Sequence, residues 1–158
     1  MVTIEQIEDA VINALEQKFK KGIAAGGYVR NIDSYGGEFE SALETLVARS
    51  PFVLVEFERF ENKVLAAKGT SALVYRRDMW FNIFAAAENL RGEKKARRGS
   101  TGTYAMVEDI GEALIGENLG LTIGGLDCER VYRIANLKRI SVYQMVFKTF
   151  LKYRTQIT

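Results

Sequence analysis

A chain of 158 residues, 47% hydrophobic and 27% charged, reads as one soluble domain, 1–158, able to bury a core. Its net charge is only +2 and it has no histidine, which removes the commonest general base and the commonest neutral metal ligand. With one cysteine, Cys128, Cys/His zinc sites, Ser-His-Asp and Cys-His chemistry and an internal disulfide are excluded as well, so no enzyme, no metal and no cofactor is expected.

In chain order, Thr3 to about Lys21 predicts an amphipathic helix, with Ile4, Ile7, Val11, Leu15 and Phe19 on one face. Thr3 and Gln6 fit a capping box, and Gly22 is placed to end the helix. Tyr28 to Asp33 predicts a short strand, broken by Tyr35-Gly36-Gly37. A second helix is expected from Glu38 to Arg49, burying Phe39, Ala42, Leu43, Leu46 and Val47; Ser50-Pro51 stops it. Phe52 to Glu61 predicts a strand with Val53, Val55 and Phe57 on one side and Glu56 and Glu58 on the other, followed by a loop from Glu61 to Gly69. Ser71 to Glu88 predicts a long strand. Leu73, Tyr75, Met79, Phe81, Ile83 and Ala85 share one face, interrupted by Arg77, and Arg76, Asp78, Trp80 and Asn82 share the other.

A third helix is expected from Thr103 to Ile115, with Tyr104, Val107, Ile110 and Leu114 inward and Gly116 after it. Leu119 to Ile123 predicts a short strand, and Val131–Ala135 with Ile140–Tyr153 a final antiparallel pair. The sum is an α+β fold: an antiparallel or mixed sheet of four to six strands with about three helices packed mainly on one face. No apolar run approaches the ~20 residues that span a bilayer, and no signal peptide or membrane partner is expected.

Between the long strand and the third helix lies the main charge anomaly, Asn89 to Gly99. Arg91, Lys94, Lys95, Arg97 and Arg98 outweigh Glu93 by four charges, so the remainder of a +2 chain is slightly acidic. The residues fit a solvated loop and a protein-contact loop equally. Phosphate binding is the lesser reading, because dedicated nucleic-acid binders are basic overall. Gly99-Ser100-Thr101-Gly102 lacks the lysine of a phosphate loop, and capping by Thr101 or Thr103 accounts for it. Glu56, Glu58 and Glu61 near Lys63 have the composition of a Mg²⁺-nuclease strand, but alternating charge on an outward face is the commoner outcome. Trp80, on the polar-leaning face, is a candidate interface residue. Cys128 reads as a structural thiol.

The basic segment, Asn89-Leu90-Arg91-Gly92-Glu93 and then Ala96-Arg97-Arg98-Gly99, resembles the Mu-like phage tail-terminator family. Other segments resemble it in the same order. They include Ile4 to Ala10, Val29-Arg30 through Gly37-Glu38, Ser50 to Val55, Tyr104 to Asp109, and Ser141-Val142-Tyr143 with Phe147.

The resemblance implies structural work in a phage, prophage or contractile bacteriocin. A ring of subunits, six-fold in related terminators, would cap the tail tube, stop its growth and offer a joining surface to the head. The implied partners are further copies of the chain, the tail tube protein and the head-tail connector or sheath. No sequence-specific nucleic acid is implied. The implied location is the virion tail, assembled in the host cytoplasm. Arg91, Lys94, Lys95, Arg97, Arg98, Trp80, Glu56 and Glu58 are the expected subunit or tube contacts. A neck or connector component is the alternative within phage particles, and a nucleic-acid-binding protein or metal-dependent nuclease the alternative outside that class.

Overall fold

A computed structural model describes residues 1–20, 27–40, 43–65, 72–88, 97–98, 102–137 and 139–156. The chain opens with helix α1 (Ile4–Phe19). Gln6 N donates to Thr3 Oγ1 at 3.1 Å and Thr3 N to Gln6 Oε1 at 2.9 Å, closing the expected capping box. Ile7, Val11, Leu15 and Phe19 are buried, as their spacing predicts. The helix stops earlier than the sequence suggests. Lys20 takes the left-handed conformation (φ 46°) and its N–H donates to Glu16 O, while Gly22 lies outside the described residues.

Strand β1 (Asn31–Ser34) begins three residues after the predicted start. It pairs in parallel with the start of β2 (Phe52–Leu65), Asn31 opposite Phe52, so it can form only where that partner exists. The Arg30 N–H reaches Pro51 O at 2.7 Å and sets the register. The predicted single helix from Glu38 to Arg49 is instead a 3-10 turn, Glu38–Glu40, and helix α2 (Leu43–Arg49). The turn starts after Gly37 at φ +87° and lays Phe39 edge-on against Phe84, with ring centroids 5.1 Å apart.

β3 (Ala72–Glu88), β4 (Asp127–Leu137) and β5 (Ile140–Gln156) complete a five-stranded sheet of order β1-β2-β3-β5-β4. Every pairing except β1–β2 is antiparallel. Residues 61–65, expected as loop, continue β2, because β3 keeps offering ladder partners as far as Leu65–Val74.

Helix α3 (Thr103–Leu114) is capped by Gly102 without a side-chain bond; Thr103 is already its first, buried residue and Thr101 lies outside the described residues. A Cβ at Gly102 would sit 2.5 Å from Arg97 O, so the backbone of the basic segment crosses the helix start too closely for a side chain. The inward stripe is Thr103, Met106, Ile110 and Leu114. Tyr104 is exposed instead and meets Tyr143 edge-on at 5.8 Å.

The strand predicted at Leu119–Ile123 is a self-bonded loop. Leu119 (φ 57°) and Gly120 (φ 73°) turn the chain, and Leu121 N donates to Asn118 O at 3.0 Å. Leu119, Leu121 and Ile123 alternate because they pack on the core, not because they join a ladder.

The two sheet faces differ. α1 and α3 cover the face carrying Val53, Val55, Met79, Phe81, Ile83, Met145 and Phe147. On the opposite face a smaller cluster, Leu46, Phe52, Leu54, Phe84, Ala86, Ile140 and Val142, packs with Tyr35 and Phe39 at one end only.

Candidate functional site

The rest of that second face is built from charge. Alternation along β2 holds until Phe57, which pairs with Phe81; the next pair is Arg59 with Trp80, so Glu58 is the extra residue of a bulge. The bulge switches which residues face the open side, from Glu56 before it to Arg59, Glu61 and Lys63 after it. This corrects the expectation that Glu56 and Glu58 stand side by side. Periodicity carries no mark of a one-residue insertion.

Trp80 lies at the centre of this face and is only 6% exposed. The Arg59 guanidinium sits 4.1 Å from the ring centroid and Lys148 Nζ 5.0 Å, and the indole N–H donates to Glu129 Oε2 at 3.0 Å. Trp80 is therefore an internal anchor of the charged layer, not a bare contact residue. One row away, Asp78 is 1% exposed in its side chain, with Arg76 Nε at 2.7 Å, Lys63 Nζ at 3.2 Å and Lys148 Nζ at 4.0 Å. Burial alone would raise the Asp78 carboxyl. The hydrogen bonds from Arg76 and Lys63 outweigh it and hold the group below the ordinary carboxylate range. Arg77, which interrupts the apolar face, lays its guanidinium over Phe60 (4.3 Å) and Tyr153 (5.3 Å).

The strand acids Glu56 and Glu58, for which an outward charged face is the favoured reading over a metal site, have protein partners. Glu56 Oε1 accepts from Asn82 Nδ2 at 3.1 Å, and Glu58 Oε1 pairs with Arg59 at 2.9 Å. Burial raises the Cys128 thiol, which keeps it protonated, as a packing residue requires.

Of the basic segment, Arg97 and Arg98 stand at the foot of α3; Arg91, Lys94 and Lys95 lie outside the described residues. Arg97 is close enough to Tyr143 for its charge to bear on that phenol, so this foot abuts β5 near the Tyr104–Tyr143 contact. Glu56, Arg59, Trp80, Lys148 and Glu129 form one continuous layer.

A family model described as bacteriophage Mu, Gp37, matches residues 3–152, nearly every element described above. The chain belongs to the bacteriophage Mu Gp37 family. Membership makes it a phage protein of the structural kind, a virion component. No curated protein matches the chain. In this Gp37-family chain the described charged side chains on the open face pair with one another and with the sheet aromatics.

Sequence reasoning missed Arg59, Lys148 and Glu129 as neighbours of Trp80. They come from three strands; Lys148 stands out locally as a charge within a largely apolar run of β5, while Arg59 and Glu129 sit among other charged residues and carry no distinguishing local signal.

Proposed function

We propose that this Gp37-family chain is a tail terminator: copies close into a ring on the end of the tail tube, stop its polymerisation and present the surface that meets the head connector or sheath. The observation that carries the reading is the whole-chain family match, read together with a face whose charged groups are ordered by each other. Such a layer is rigid before it binds. Rigid, mixed-charge surfaces set register and partner choice more than they add affinity.

A ring requires one patch to meet a different patch on its neighbour, and closure follows from the rotation between them. A tube end templates the next ring, and a subunit that matches this end but presents a different far face halts addition. The basic segment from Arg91 to Arg98 contributes a contact to the neighbouring subunit or the tube, with acids of the slightly acidic remainder opposite.

Replacing Lys94, Lys95, Arg97 and Arg98 together with Glu tests this. The expected result is an unchanged circular-dichroism spectrum and loss of tube capping, read as tails of uncontrolled length in electron micrographs. Tails of normal length from that variant would overturn the role of the segment. Binding of the native chain to purified connectors but not to tubes would instead favour a neck component.

A further inference from the structure

We propose that copies of this chain join edge to edge, with the free side of β4 from one copy adding as an antiparallel strand beside residues 57–65 of β2 from the next. The proposal takes ring closure from the terminator reading, but the joint is testable without it.

Four observations converge. First, the sheet ends in two long unpaired edges among the described residues. β1 covers β2 only from Phe52 to Val55, leaving the outer side of 57–65 without a described strand, and β4 is the last strand on the opposite side. Second, exposed large apolar side chains gather there. Phe60 and Val64 on β2, and Val131, Tyr132 and Ile134 on β4, are five of the eight among the described residues. Third, β2 and β4 run in opposite directions within one copy, since three antiparallel pairings separate them. A rotation about an axis along the strands keeps those directions, so the joint between copies is antiparallel and differs on its two sides, as a ring demands.

Fourth, one register matches chemistry on both faces. The charged face of β4 carries Arg130 and Tyr132, paired with Val146 and Gln144; that of β2 carries Arg59 and Glu61, paired with Trp80 and Asp78. Setting Val131 opposite Phe60 puts two apolar residues together on the helix-bearing face. The same setting puts Arg130 opposite Glu61 and Tyr132 opposite Arg59 on the charged face, an ion pair and a cation over a ring.

This register also has the right stagger. Within one copy Arg130, Val146, Asn82 and Glu56 lie in one row. Across the joint Arg130 meets Glu61, five positions along β2 from Glu56 with the bulge at Glu58 between them. The ladder thus slips by about four residues for every four strands, about one per strand. That is the shear of closed barrels whose strands tilt by ~36°. Repetition curves the sheet toward closure. The bulges in β4 beside Cys128 and beyond Arg133 restrict the edge to a partner that fits them.

The experiment uses the full chain carrying Cys128→Ser, Phe60→Cys and Val131→Cys, oxidised and run without reductant. Paired strands bring these two Cα atoms within disulfide range. The expected result is a ladder of linked copies, absent when either new cysteine is present alone. No ladder from the double variant, or dimers from Val131→Cys alone, would overturn the joint; dimers of that kind would mark a β4-to-β4 contact.

A second measurement avoids cysteine. Arg130→Glu and Glu61→Arg should each raise the association midpoint about tenfold, and the two together should restore it. Two single effects that simply add would count against the pairing. A chain that caps tubes yet never links through these positions keeps the terminator reading and loses this joint.

Discussion

Asp78 shows at the scale of one residue how this sheet face works. Its carboxyl is buried and held by Arg76 and Lys63, with Lys148 close by. Because its folded pKa lies below the ordinary value of 3.8, the carboxylate stabilises the fold above that value, and the contribution is lost as pH falls through the lower, folded pKa. Asp78→Asn should therefore lose about 2 kcal/mol near neutral pH, discounted for the exposed lysine partner, and lose less further stability than the native chain when acidified below about pH 4. Urea unfolding at several pH values measures both effects; an unchanged acid slope in the variant would count against it. Trp80 offers a second check, since it is the chain's only tryptophan. Trp80→Phe keeps most of the ring volume and removes the hydrogen bond to Glu129, so a cost of about 1 kcal/mol is expected from thermal unfolding.

At the scale of elements, helices and central strands were legible because their burial repeats locally. The α1 stripe and the β3 alternation appear in sequence as they appear in space. The cap of α1 was legible too. Thr3→Ala should cost about 1 kcal/mol, seen as a lower thermal midpoint, because two reciprocal bonds are lost at once. Element boundaries that depend on distant partners are not legible in the sequence. β1 starts where β2 starts, and β2 extends as far as β3 supports it. The Leu119–Ile123 loop shows the opposite failure: an alternating apolar pattern arose from packing side chains under a turn. In α3 the expected burial of Ile110 and Leu114 holds, whereas Thr103 and Met106 take the innermost places in the first turn and Tyr104 finds a ring partner on β5 that sequence cannot supply.

At the scale of the whole molecule, two helices shield one sheet face, and the other is divided between a small apolar cluster and the charged layer. If rim charges set subunit register, raising salt from 0.05 to about 0.5 M should weaken assembly of the native chain markedly, because the screening length shrinks several-fold. Light scattering across that range reports it, and salt-independent assembly would point to apolar edge contacts alone.

From the sequence by itself came the α+β class, the main helices and strands, the empty inventory of histidine chemistry and the ordered resemblance to a phage family, which the match over residues 3–152 bears out. These rest on residue identity and short-range periodicity. Only the tertiary structure decided that Trp80 lies under Arg59 and Lys148, that Glu58 leaves the ladder, and that among the described residues two sheet edges carry no further strand and have exposed apolar residues along them. Each of these depends on which strands become neighbours, and strand order is a property of long-range pairing that no local pattern encodes.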